Sequence, residues 1–125
     1  MTKVKFCGLT RDEDICAANR LLPDFAGLVF AEKSRRYVSP ERAREIREKL
    51  DRRIKTVGVF VNADISFIVE LLRDGVIDIA QLHGGEDDAY IRELRKVIDR
   101  PVIKAFRIDN ETDILRAGAS AADMV

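Results

Sequence analysis

Short apolar runs alternate with longer amphipathic segments along the whole 125-residue chain. Each apolar run is followed by a stretch in which apolar residues recur with helical spacing. Because strict alternation of strands and helices requires crossover connections, the pattern predicts a parallel sheet covered by helices. Five runs predict complete strands and a sixth run predicts the opening of another, at residues 3–9, 25–30, 55–61, 78–83, 101–106 and 121–125.

Local signals predict where the helices begin and end. Thr10 and Glu13 have the spacing of a capping box before the first helix. Ser39 followed by Pro40 is typical of a helix that begins at residue 40. Gly75 suits the left-handed conformation that often ends a helix. An acidic run is expected to complement the positive end of a later helix dipole: Glu86, Asp87 and Asp88.

The size of the chain fits a single domain over residues 1–125, because domains of about 100–150 residues are the commonest. The pattern leaves two architectures open, a doubly wound sheet or part of a (β/α)8 barrel, which takes about 200 residues or more to close. In both architectures functional side chains lie at the carboxyl ends of the strands.

Composition excludes several classes of function. The 22 basic and 22 acidic side chains give zero net charge, which offers no electrostatic footprint for nucleic acid or a membrane. The chain has no run of about 18 apolar residues and no signal-peptide pattern, so we expect a cytoplasmic protein. Two cysteines without a Cys-x-x-Cys motif, together with one histidine, indicate neither disulfides nor a metal site. Gly84-Gly85 lacks the spacing of a nucleotide-binding loop, and we expect no cofactor.

Cys7 is the first candidate for chemistry. Alternation along the first strand places it on the same face as Lys5 and opposite Phe6. A nearby cation and a nearby helix start favour the thiolate form. Free cysteine is also among the most buried residue types, so a reacting thiol and a core thiol both remain open. Cys16 is expected to be structural, on the apolar face of the first helix.

Two further candidate segments follow strand ends. Residues 32–40 ("EKSRRYVSP") include Arg36, and a guanidinium group binds carboxylate or phosphate in a bidentate manner. Gln81 and His83 end the fourth strand on one face, and the glycines after them let backbone approach a ligand. The alternatives are a solvated charge run and a structural histidine.

Five motifs together carry a family resemblance, and they occur in order over essentially the whole chain: "KFCGLT", "GLVFAEKSRRYVSPERA", "VGVFVN", "QLHGGED" and "VIKAF". With them the chain closely resembles the phosphoribosylanthranilate isomerase family of tryptophan biosynthesis. The resemblance implies a (β/α)8 barrel, of which about the first five and a half βα units are present in this sequence.

The resemblance also implies a reaction and site residues. Members of the family catalyse an Amadori rearrangement of N-(5'-phosphoribosyl)anthranilate to 1-(2-carboxyphenylamino)-1-deoxyribulose 5-phosphate, without cofactor or metal. The family's general base falls on Cys7, and the arginine that meets the anthranilate carboxylate falls on Arg36. The implied partner is a small phosphosugar, bound by a monomer or homodimer. The family's pocket-lining segment falls on Gln81, Leu82, His83 and Gly84.

One part of the family pattern has no counterpart. The family's general acid is an aspartate just after the sixth strand, and Asp123 lies about three residues, or roughly 10 Å, too early. The phosphate-binding loops of the last two units are also missing. We therefore expect the 125 residues to be inactive by themselves, as a fragment of a longer protein or as a half-barrel that a second chain completes. Two other functions remain possible alternatives: a non-catalytic module that pairs with another chain, and a neighbouring phosphosugar isomerase, against which Cys7 counts.

Overall fold

The computed structural model describes residues 2–125, and within them five strands alternate with five helices. The strands are β1 (Lys5–Cys7), β2 (Phe25–Val29), β3 (Lys55–Phe60), β4 (Ile79–Leu82) and β5 (Val102–Lys104). The helices are α1 (Asp12–Leu21), α2 (Pro40–Lys49), α3 (Ile65–Arg73), α4 (Asp88–Val97) and α5 (Glu111–Gly118). The predicted alternation is confirmed, although every strand is shorter than its predicted run. The predicted sixth strand is present as a single parallel bridge between Met124 and Ile103.

The strands pair in parallel, in the order in which they follow along the chain. A doubly wound sheet reverses its strand order at a switch point, and no reversal occurs among the described strands. Because crossover connections are right-handed, connections that all advance in one direction place the helices on one face of the sheet. The strand order therefore decides between the two architectures in favour of the (β/α)8-barrel type.

The main core lies between the sheet and the helices. Alternate strand residues, among them Leu28, Phe60 and Leu82, are almost fully buried in one cluster with apolar residues of the helices. Each large apolar side chain buried in this way contributes roughly 1.5–3 kcal/mol. The opposite, inner face of the sheet carries Lys5 and Gln81 among apolar residues such as Val57 and Ile79. None of the helices within residues 2–125 is both long and apolar enough to cross a bilayer.

Two of the predicted helix signals are confirmed. The Ser39 hydroxyl accepts a hydrogen bond from the backbone N–H of Arg42 at 3.1 Å, and Pro40 is the first residue of α2. Gly75 follows α3 with φ +73°, in the left-handed region where a side chain is strained. Both signals could be read from the sequence because each depends only on residues within about one turn of the helix end.

The predicted capping box of Thr10 and Glu13 is wrong. α1 begins at Asp12, and the Asp14 carboxylate accepts hydrogen bonds from the backbone N–H groups of Arg11 and Thr10, at 2.9 and 3.0 Å. These two bonds lower the pKa of Asp14 to about 2. The start of α1 is thus held by the residue next to the predicted one.

Aspartates at the amino edge of the sheet perform one repeated task. Each of these aspartates follows a strand segment that has, near its start, a backbone N–H without a partner in the sheet ladder. A buried backbone N–H that lacks an acceptor is unfavourable. Each aspartate accepts such an N–H from the neighbouring strand: Asp24 from Val4 at 2.8 Å, Asp78 from Thr56 at 2.9 Å and Asp123 from Val102 at 2.8 Å. Asp123 also pairs with Arg95 at 2.5 Å. Asp123 therefore lies at the amino edge, opposite to the edge where the family resemblance implies a general acid.

Asp14→Asn is expected to reduce the loss of stability that acid causes. Since the folded-state pKa of Asp14 is about 2, below the ordinary value of 3.8, its contribution is complete at higher pH and is lost as the pH falls towards 2. Urea unfolding at about pH 5 and about pH 2 measures this difference in the free energy of unfolding. The neighbouring exposed carboxylate provides the control, Glu13→Gln. A full acid-dependent loss in Asp14→Asn, with a reduced loss in Glu13→Gln, would contradict the assignment.

Candidate active site

Cys7 is the last residue of β1, and its side chain is exposed. It pairs in register with Gly27 of β2, where an added Cβ would lie 3.2 Å from the Cys7 sulfur. The glycine therefore leaves room beside the thiol at the carboxyl edge of the sheet. Within residues 2–125 the thiol of Cys7 is exposed at the carboxyl edge of the sheet, as a reacting thiol requires.

Cys16 is also exposed, which corrects the prediction that it lies on the apolar face of the first helix. α1 buries Ile15 and Ala18. Cys16 follows Ile15 directly, and one residue rotates the side chain about 100° around a helix. Its thiol lies in the middle of α1 and not at a strand end.

The loop after β2 folds back onto the end of that strand. Tyr37 forms a parallel bridge with Val29, and the backbone N–H of Val38 donates to the Val29 carbonyl at 2.9 Å. This return places Arg36 beside β1, where its guanidinium donates to the Cys7 carbonyl at 3.0 Å. A guanidinium has five N–H donors, and Arg36 remains exposed, so it retains donors for a carboxylate or phosphate.

Gly8 makes the approach of Arg36 possible. Its φ is +80°, in the left-handed region that favours glycine. A Cβ at this position would lie only 2.3 Å from Cδ of Arg36. The Cys7-Gly8 pair of the "KFCGLT" motif therefore supplies the thiol and, directly after it, the space that the arginine occupies.

Gln81 and His83 occupy the end of β4. The Lys5 ammonium donates to Oε1 of Gln81, which joins β1 to β4 across the inner face. The backbone N–H of His83 donates to the Phe60 carbonyl at 2.8 Å, and the residue is exposed. The structure thus joins Cys7 with Arg36 and Gln81 with Lys5, and it places His83 at the same edge with an accessible imidazole.

A buried ion pair that was not predicted from the sequence lies at this edge. Glu86 was expected to complement the dipole of the following helix, but its side chain is only 1% exposed and lies 3.3 Å from the Lys104 ammonium. The N-cap of α4 is Asp87, which accepts from the backbone N–H of Tyr90 at 2.8 Å. A signal was available, because alternation puts Lys104 on the helix-facing side with Val102, where a charge needs a partner.

Comparisons with known proteins agree with this geometry. The family model of N-(5'-phosphoribosyl)anthranilate (PRA) isomerase matches residues 4–125. A relative from Endomicrobium trichonymphae, named N-(5'-phosphoribosyl)anthranilate isomerase, is 45% identical over 125 residues, which are 100% of this chain and 60% of the relative.

Two solved structures are similar over most of the chain. One is of monomers of the dimeric phosphoribosylanthranilate isomerase from Thermotoga maritima, with 38% identity and a TM-score of 0.83, over 94% of this chain and 59% of that one. The other is a phosphoribosyl anthranilate isomerase in complex with reduced 1-(o-carboxyphenylamino)-1-deoxyribulose 5-phosphate. It has 39% identity and a TM-score of 0.85, over 94% of this chain and 59% of that one.

The chain spans about 60% of the length of curated relatives such as the protein from Endomicrobium trichonymphae. Within that span the strand order, the exposed cysteine beside an arginine, and the matched residues 4–125 all agree with one another. The chain belongs to the N-(5'-phosphoribosyl)anthranilate isomerase family.

Proposed function

We propose that this protein is an N-(5'-phosphoribosyl)anthranilate isomerase of the cytoplasm, and that residues 1–125 form one domain unit, the amino-terminal part of its barrel. The observation that carries the proposal is the contact between the Arg36 guanidinium and the carbonyl of Cys7. It puts a cation suited to a carboxylate against the backbone of the residue that carries an exposed thiol. A non-catalytic half-barrel module has less support, because an assembly role does not require this pairing.

Cys7 acts as the general base in this proposal. A general acid protonates the ribose ring oxygen, and the ring opens to a protonated Schiff base. The Cys7 thiolate then removes the C2' proton, and the resulting enolamine tautomerises to the ketose. A positioned base of this kind typically contributes 10²–10⁴-fold to the rate.

Arg36 provides the carboxylate contact, and Gln81 and His83 line the pocket. The anthranilate carboxylate matches the planar fork of a guanidinium, which binds it in a bidentate manner. The bond of Lys5 to Gln81 holds the amide on the inner face, where the ribose moiety lies in this proposal. The related structure that contains a carboxyphenylamino deoxyribulose phosphate supports a substrate of this class. The protein acts as a monomer or homodimer, and the relative described as dimeric supports the latter.

Cys7→Ala is expected to lower turnover by at least about 10², because the proton acceptor is removed. The assay follows the loss of phosphoribosylanthranilate fluorescence, first with the 125-residue chain and then with that chain mixed with the part of the Endomicrobium trichonymphae relative that the match leaves uncovered. The chain alone is expected to be inactive, and the mixture active. Cys16→Ala, which removes the other exposed thiol, serves as the control and is expected to keep full turnover. If Cys7→Ala turns over as fast as Cys16→Ala in a mixture in which the wild-type chain is active, the role of Cys7 is refuted.

Gly8→Ala is expected to weaken binding of reduced 1-(o-carboxyphenylamino)-1-deoxyribulose 5-phosphate about tenfold or more, because the new methyl group displaces Arg36 and removes a charge-assisted contact. Calorimetry measures the Kd. Gly75→Ala is the matched control, since Gly75 has a similar φ of +73° and nothing within 4 Å of an added Cβ.

Both glycine variants are expected to lose roughly 1–2 kcal/mol of stability from the left-handed backbone, and only Gly8→Ala is expected to lose affinity. Equal affinity of the two variants would mean that Arg36 does not contact the carboxylate.

A further inference from the structure

We infer that Glu86 is a positioning residue of this site: its buried carboxylate ties together the carboxyl ends of β3, β4 and β5 and holds the backbone that presents His83 to the ligand. The inference rests on the proposed function, because the ligand is the one proposed for that site. Glu86 itself does not touch the ligand. It acts through the loop between β4 and α4.

The Glu86 carboxylate uses both of its oxygens. Oε2 accepts the backbone N–H of Asn62, just after β3, at 2.7 Å. Oε1 accepts the backbone N–H of Gly84, just after β4, at 2.8 Å, and lies 3.3 Å from the ammonium of Lys104 at the end of β5. The carboxyl ends of three neighbouring strands are thus joined by hydrogen bonds or an ion pair to a single side chain.

Lys104 completes the hold on the loop. Its ammonium donates to the Gly84 carbonyl at 2.6 Å, so the N–H and the C=O of Gly84 are bound by the two members of one ion pair. The side chains of Lys104 and Glu86 are 7% and 1% exposed. At this depth each charge is stable only because the other is present.

Asn62 holds the next residue of the loop. It adopts φ +50°, a left-handed conformation that asparagine tolerates better than most residues, and its Oδ1 accepts the backbone N–H of Gly85 at 2.8 Å. A Cβ at Gly84 would lie 2.8 Å from the same Oδ1. Gly84 therefore packs against Asn62 at a distance that only glycine allows.

These bonds have a consequence for what the loop offers a ligand. The N–H groups of Gly84 and Gly85 are occupied by protein acceptors, so the glycines do not form an anion-binding loop. The accessible group is the imidazole of His83, directly before the bound segment. A buried ion pair is weak evidence for added stability, since apolar residues of similar volume often do as well. Its use here is geometric, because it fixes the backbone on which His83 is mounted.

Glu86→Gln tests the inference, because it keeps the shape of the side chain and removes the charge. One oxygen becomes an N–H donor that faces backbone N–H groups or the Lys104 ammonium, so the loop is expected to loosen. Hydrogen exchange at the Gly84 amide is expected to speed up, and the Kd of reduced 1-(o-carboxyphenylamino)-1-deoxyribulose 5-phosphate to rise about tenfold or more. The double variant Glu86→Gln/Lys104→Met, which leaves neither charge buried without its partner, is the second variant if Glu86→Gln does not fold, and its Kd is expected to rise in the same way.

Thr56→Val is the matched control. Thr56 is fully buried in the same sheet and donates its hydroxyl to the Val76 carbonyl at 2.9 Å, but it lies at the amino edge. It is expected to lower the melting temperature without a change in the Kd.

The outcomes separate the inference from the proposed function. If the wild-type chain binds the probe and both Glu86→Gln and Glu86→Gln/Lys104→Met bind it equally well, the inference is wrong and the proposed function stands. If Thr56→Val weakens binding as much as Glu86→Gln does, general destabilisation explains the effect and the inference is also wrong. All Kd values are measured with the chain mixed with the part of the Endomicrobium trichonymphae relative that the match leaves uncovered. If the wild-type chain in that mixture does not bind the probe, the proposed function and the inference fail together.

Discussion

Parallel pairing of the strands in chain order is the constraint on which the rest of the structure depends. It places the helices on one face of the sheet and brings all the carboxyl ends of the strands to one edge. Lys5 and Gln81 are separated by 76 positions in the sequence, yet they share a hydrogen bond across the inner face. The contact between Cys7 and Arg36 depends on the same arrangement, because β1 and β2 are neighbours.

Carboxylates have different structural roles at the two edges of the sheet. At the amino edge, Asp78 accepts a strand N–H that has no partner in the ladder, and this completes the hydrogen bonding of the sheet. At the carboxyl edge, Glu86 accepts N–H groups that belong to two connections and pairs with the Lys104 ammonium. The Asp78 carboxylate completes the hydrogen bonding of a strand, and the Glu86 carboxylate fixes the backbone of a loop. This division agrees with the general rule that barrels of this type carry stability at one edge and function at the other.

Features that are local or strongly periodic could be predicted from the sequence. The predictions for Cys16 and Glu13 were wrong by one position. Alternation correctly predicted that Cys7 lies on the inner face, because successive side chains along a strand point to opposite faces of the sheet. Ser39 was recognised as a cap because its acceptor and the N–H it meets are three residues apart. Cys16 was misplaced because an error of one position turns a helical side chain by about 100°. Asp14, and not Glu13, holds the start of α1 for the same reason. For the buried ion pair, alternation along β5 indicates that Lys104 needs a partner, but nothing in residues 84–88 indicates that Glu86 is that partner.

The sequence by itself determined the alternation of strands and helices, the face on which Cys7 lies and, through its motifs, the family. These features depend on spacing within one element, or on a pattern of residues read in order. The tertiary structure alone decided that the strands follow one another without reversal, that Arg36 lies over Gly8, and that Glu86 meets Lys104. Those contacts join residues from different βα units, and their free energy exists only after the strands have paired, so no local pattern of residues records them.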